Sequence, residues 1–151
     1  MIKIEWLDLL SKGLITSSLV FAATVLWEFY KTRRELKGRA LLLFAEVNDQ
    51  CYRLSTQSSV SIECLLTIPD SEWNSSRYFL AQHLSFKKFQ VIHEHYRAMR
   101  SARKILEIEG SLPEPFYSEH IAKANAAMFV LLDLAKLDKQ KLEAYNKKTT
   151  E

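Results

Sequence analysis

Glycine and proline are both scarce, three of each in 151 residues. With so few residues that break or redirect a helix, the chain is expected to be helical throughout, with little room for strands. Cysteine is nearly missing as well. Cys51 and Cys64 lack the CxxC spacing of a thiolate metal site, and they read as small buried hydrophobes kept reduced in a cytoplasmic setting. The chain also has no glycine-rich phosphate loop, no GxSxG, no Cys/His nucleophile arrangement and no acidic cluster for magnesium. No cofactor and no metal are therefore expected, and a non-enzymatic role is favoured. The net charge of +3 comes largely from one short basic segment, which leaves the rest of the chain close to neutral. A dedicated nucleic-acid binder would carry a basic stripe on its folded part, and that class is set aside.

One long uncharged run is present. Residues 13–27 carry no charge, and Lys31, Arg33, Arg34, Lys37 and Arg39 follow at once. Fifteen helical residues rise only about 22 Å, against a hydrocarbon thickness of about 30 Å. The flanks extend the run. Trp6 and Trp27 are 21 residues apart, about 32 Å along a helix, which matches two interfacial aromatic belts, with Tyr30 added to the second. Asp8 and Lys12, spaced i,i+4, can pair at the outer end. The expectation is a single membrane span with a basic stop. A core helix, an amphipathic helix lying in the interface and a cleaved signal peptide are the weaker readings. The basic excess on the C-terminal side predicts the N-terminus outside and the remainder in the cytoplasm, at a plasma (inner) membrane. Gly13 with Ser17, and Ser18 with Ala22, are small-xxx-small spacings through which two spans can approach, so a homo-oligomer is a candidate assembly.

Beyond the anchor, apolar residues recur at three and four. Leu36, Ala40, Leu43, Phe44, Val47, Cys51 and Leu54 make one face of a helix over about 35–55, with Arg39, Glu46, Asp49, Gln50 and Arg53 mostly off it. Gly38 is the place where a bend is expected. Residues 56–61 read as a loop and 60–68 as a short apolar segment. Asp70 or Ser71 is expected to cap a helix ending near Leu84, with Trp73, Arg77 or Tyr78, Leu80, Ala81 and Leu84 inward. Ser85 opens the next helix and Gly110 closes it. Phe89, Ile92, Tyr96, Met99, Ala102 or Arg103, and Leu106 form its stripe. A last helix is expected from Pro115 or Tyr117 to Asn146, with Ile121, Ala124, Met128, Leu131, Ala135 and Leu142 inward. The fold class is all-α: an N-terminal transmembrane helix followed by a bundle of about four cytoplasmic helices. The organisation is 1–34 anchor, 35–147 bundle and 148–151 tail.

Four histidines invite a metal or acid–base reading. His93 and His95 lie at i,i+2 and point to different faces, and HEHY is not HExxH. His120 has no partner visible in the sequence. The histidines read as solvated or partly packed.

Arg77 and His83, in RYFLAQH, resemble the R-x(4–6)-H motif of the HEPN ribonucleases, small helical bundles of bacterial toxin and defence systems. That resemblance implies an Arg and a His acting on a scissile phosphate at a dimer interface. A polar residue often follows the Arg in that family, whereas Tyr78 stands here. The ordinary alternative is a pair of helix-surface residues. The whole layout, with its LLLFAEVN helix and the segment from Trp73 to Ser85, is similar to that of uncharacterised bacterial or phage-borne single-pass proteins. Three functions are thus in view: a membrane-tethered interaction or regulatory module without catalytic activity, an oligomerising membrane effector of a toxin or defence system, and a tethered ribonuclease. The implied partners are the lipid bilayer and a protein of unknown identity, itself possible at the membrane.

Overall fold

The computed structural model describes residues 2–55, 70–112 and 114–136, with side chains from Leu14 onward apart from Glu114. Everything described is helix or short connection, and no strand occurs among these residues. Helix α1 is Ile2–Ser55, α2 is Ser71–His83, α3 is Phe86–Glu109 and α4 is Glu114–Ala135. The chain divides into two units, Met1–Glu35 and Leu36–Glu151. The expected loop at 56–61, the apolar segment at 60–68 with Cys64, and the helix beyond 136 with Leu142 lie outside the described residues.

In the second unit the apolar period does what it predicts. Ala40, Leu43, Val47 and Leu54 are buried on α1, and Ile92, Tyr96, Met99, Ala102 and Leu106 on α3. Two clusters result. Ala40, Leu43, Val47, Trp73, Leu80, Ile92 and Tyr96 join Ala124, Ala127, Leu131 and Ala135 of α4. Leu54, Met99, Ala102 and Leu106 close around Leu112, backed by Phe116, Tyr117 and Ile121. The alanines let α4 lie close against α3. α1 continues as helix on both sides of Gly38.

The helix ends depart from the expected capping chemistry in two places, since neither Asp70 before α2 nor Ser85 before α3 makes a side-chain capping bond. The Asp70 carboxylate pairs instead with Arg103 Nη2 at 2.7 Å, with both side chains largely buried. The first turn of α2 is capped from another helix: Glu72 N–H donates to Glu46 Oε2 at 3.0 Å. A carboxylate at that position satisfies an orphan donor and opposes the helix dipole. The inner face of α2 is also corrected. Trp73, Ser76 and Leu80 are buried, whereas Tyr78 and Ala81 face outward. Arg39 of α1 reaches over to donate to Ser75 O at 2.9 Å while stacking on the Phe79 ring at 4.7 Å.

Ser85 precedes α3 and Gly110 follows it, as the sequence predicts. Gly110 has φ +70°, and its N–H returns to Leu106 O at 2.9 Å. A Cβ there would meet nothing within 4 Å, so the demand for glycine is a backbone demand alone. Gly110→Ala is expected to lower stability by about 1 kcal/mol in chemical denaturation, with unchanged helix content. α4 begins at Glu114 with Pro115 in its first turn, where a missing N–H costs nothing. It closes at Ala135, and Lys136 takes a left-handed φ of +50°.

Candidate functional site

Two features stand apart from ordinary helix packing. The first is in the N-terminal unit. Every residue of 14–31 is exposed, and Leu14, Ile15, Leu19, Val20, Phe21, Val25, Leu26, Trp27, Phe29 and Tyr30 each stand 50–72 % open. A helix apolar on all sides has no polar face to offer water. Its hydroxyls turn inward on the backbone: Ser17 Oγ and Ser18 Oγ both donate to Leu14 O, at 3.0 and 2.8 Å, and Thr24 Oγ1 donates to Val20 O at 2.9 Å. Ala22 lies exposed among them. Trp27 and Tyr30 are in ring contact at 6.4 Å, and Lys31, Arg33, Arg34 and Lys37 after them are exposed. The expected outer end of a span, with Trp6 and the side of Gly13, lies outside the described side chains. Among the described residues no helix is long and apolar enough to cross a membrane.

The second feature is a cleft of about 230 Å³ between α2 and α3. Trp73, Arg77 and Tyr78 line it from α2, with Ala81 at its edge, and Phe89, His93 and Arg100 line it from α3. Its inner wall is aromatic. Trp73 is 1 % exposed and stacks on Tyr96 at 4.7 Å with the planes 9° apart. Phe89 and His93 are parallel at 5.8 Å and both contact the indole. The Arg77 guanidinium lies 4.8 Å over the Tyr78 ring. Arg77 Nε and Trp73 Nε1 are buried donors without a hydrogen-bond partner among the described residues. Among the described residues no carboxylate lines the cleft.

Beneath this wall runs a set of buried polar contacts that sequence reasoning missed. Gln50, expected off the apolar face, is fully buried, and its Oε1 accepts from His95 Nε2 at 2.7 Å. His95, expected to be solvated or partly packed, is fully buried too, and its burial, aided by nearby His120, holds its pKa down to about 4. Tyr96 donates to Glu46 Oε1 at 2.6 Å. Burial raises the Glu46 carboxyl, partly offset by the bonds from Tyr96 and the Glu72 N–H, and raises the Tyr96 phenol. His120, which lacked a visible partner, is 2 % exposed. Its Nδ1 lies 2.6 Å from Phe116 O and its Nε2 3.0 Å from Ala98 O. His95 and His120 are thus pins between helices. No signal in the sequence marks the contacts Gln50–His95, Glu46–Tyr96 and His120–Ala98, because each joins residues of different helices.

Arg77 and His83 are not brought together. Six residues set them about 120° apart around the helix. Arg77 lines the cleft, while exposed His83 packs its ring on Phe79 at 4.2 Å and points Nδ1 at Phe79 O, 2.7 Å away. Among the described residues no three His, Cys, Asp or Glu side chains are grouped to hold a metal ion. Comparison with protein-family models, with curated proteins and with solved structures returns no match.

Proposed function

We propose that the chain is a membrane-tethered helical module: the N-terminal part of α1 sits in a bilayer, the basic segment holds the headgroup level on the cytoplasmic side, and the helices from Leu36 onward bind a partner rather than catalyse a reaction. One observation carries this reading, the uncovered apolar surface of residues 14–31. Removing a side chain such as Leu19 or Phe21 from water is worth about 2 kcal/mol, and ten such groups on one helix favour an apolar surrounding over solvent. The inward bonds of Ser17, Ser18 and Thr24 support it further. A hydroxyl already bonded to its own helix adds little cost in hydrocarbon. The exposed Lys31, Arg33, Arg34 and Lys37 complement anionic headgroups. Tethering would raise the effective concentration of the helical unit for membrane-bound partners.

The test is alkaline carbonate extraction of membranes holding the full chain, beside a truncation starting at Leu36. The full chain is expected in the pellet and the truncation in the supernatant. Release of the full chain by carbonate sinks the proposal. The exposed Ser18 and Ala22 favour a second reading, an effector whose spans associate through small residues and make the membrane leak. Ion leakage on overexpression separates it from the first. The ribonuclease reading needs a second copy to bring an Arg77 and a His83 together, and RNA cleavage unchanged by His83→Ala removes it.

A further inference from the structure

We propose that the cleft between α2 and α3 binds a phosphate ester carried on a flat aromatic ring. This inference stands independently of the membrane reading, because every residue it uses lies beyond Leu36.

The charge argument comes first. Arg77 and Arg100 reach one cavity from two helices, and among the described residues no acid lines it. Four other cations of the helical unit are engaged in ion pairs: Arg53 with Asp49, Lys88 with Asp133, Arg103 with Asp70 and Lys123 with Glu119. Arg77 instead keeps a buried Nε–H without a partner among the described residues, and its Nη2 has only the long 3.3 Å contact to the Tyr78 hydroxyl. Arg100 is exposed, with one long bond from Nε to Tyr96 O at 3.4 Å. Leaving a buried donor unmet is costly, about 1–3 kcal/mol, and more for a charged group. An oxyanion in the cleft supplies a counter-charge to both guanidinium groups. Two full charges suit a dianion with three terminal oxygens better than a carboxylate.

The ring argument is separate. The rings of Tyr78, Phe89 and His93 line the cleft, and a planar ring stacks on aromatic surface at about 1–3 kcal/mol. The cavity of about 230 Å³ is below the size typical of drug-like ligands, so one ring bearing one phosphate is a better match than a larger molecule. Such a group can come as a free small molecule or as a phosphorylated tyrosine side chain.

Calorimetric titration of the full chain in detergent micelles tests this, with phenyl phosphate, phenol, inorganic phosphate and a short phosphotyrosine peptide as probes. Phenyl phosphate is expected to bind saturably, about tenfold or more tighter than phenol or inorganic phosphate. Arg100→Gln, at an exposed position where folding is not at stake, is expected to weaken it by about tenfold with unchanged melting, and Arg77→Gln to do the same. Arg97→Gln, next to the cleft but not lining it, is expected to leave binding unchanged. A peptide that binds more tightly than phenyl phosphate marks a protein source, and one that binds less tightly marks a free small molecule. Binding that is absent in the millimolar range, that survives Arg100→Gln intact, or that inorganic phosphate matches, overturns the proposal.

Discussion

Trp73→Ala is expected to cost about 4 kcal/mol of unfolding free energy. The indole is 1 % exposed and forms the hinge of the aromatic group, stacked on Tyr96 at 4.7 Å, on Phe89 at 5.8 Å and tilted against His93 at 5.9 Å. Truncation removes the largest fully buried side chain and leaves rings from α3 facing an empty volume. For a domain of about 5–15 kcal/mol, that is a large share of its stability. Trp73→Phe is expected to cost less than half as much, because a ring remains to stack and no hydrogen bond is lost: Nε1 has no partner among the described residues. Guanidinium denaturation of the full chain in micelles, followed by circular dichroism, checks both. Equal losses for the two variants would mean that the indole N–H, not the stacked volume, stabilises this layer.

The second large effect is a loss of stability on acidification, traced to His95. Its imidazole is fully buried between α1 and α3, donating to Gln50. Burial, with His120 nearby, depresses its pKa from 6.5 to about 4. The unfolded chain therefore takes up this proton first as the pH falls. The contribution is intact above about pH 6.5, declines as the pH drops towards about 4, and falls no further below that. The full difference is about 3 kcal/mol. Glu46 works in the opposite sense: its burial-raised carboxyl holds a proton more readily in the folded state, which favours folding as the pH falls. The comparison of wild type with His95→Gln cancels that term, since both keep Glu46. Denaturation curves at pH 7.5, 5.5 and 4 are expected to converge for the two proteins as the pH drops. Curves that stay parallel would exclude His95 as the source.

Much of this architecture was legible before any coordinates. The stripe from Phe89 to Leu106 predicted the buried face of α3, because a period near 3.6 against a core leaves one solution. Ser85 and Gly110 marked its ends, the glycine because a φ of +70° is strained for any other residue. The uncharged run with basic residues behind it read as a candidate anchor from composition alone.

Tertiary structure decided the rest, for one physical reason: a period fixes which way a side chain points, not what another helix brings to meet it. Ser76 lies inward and Tyr78 outward on α2, an orientation that a count of apolar residues does not contain. Asp70 had the composition of a cap and became the partner of Arg103, while Glu46, 26 residues away in the chain, capped α2. Gln50 and His95 are polar residues that only each other's presence, 45 positions apart, makes tolerable in a core. The cleft exists only because packing brings Arg77 of α2 and Arg100 of α3 to one aromatic wall. The amino-acid order determined helices, their faces and the apolar N-terminal run, because those are local and periodic. The pairings that give this protein its polar interior and its candidate binding site are long-range, and only packing selected them.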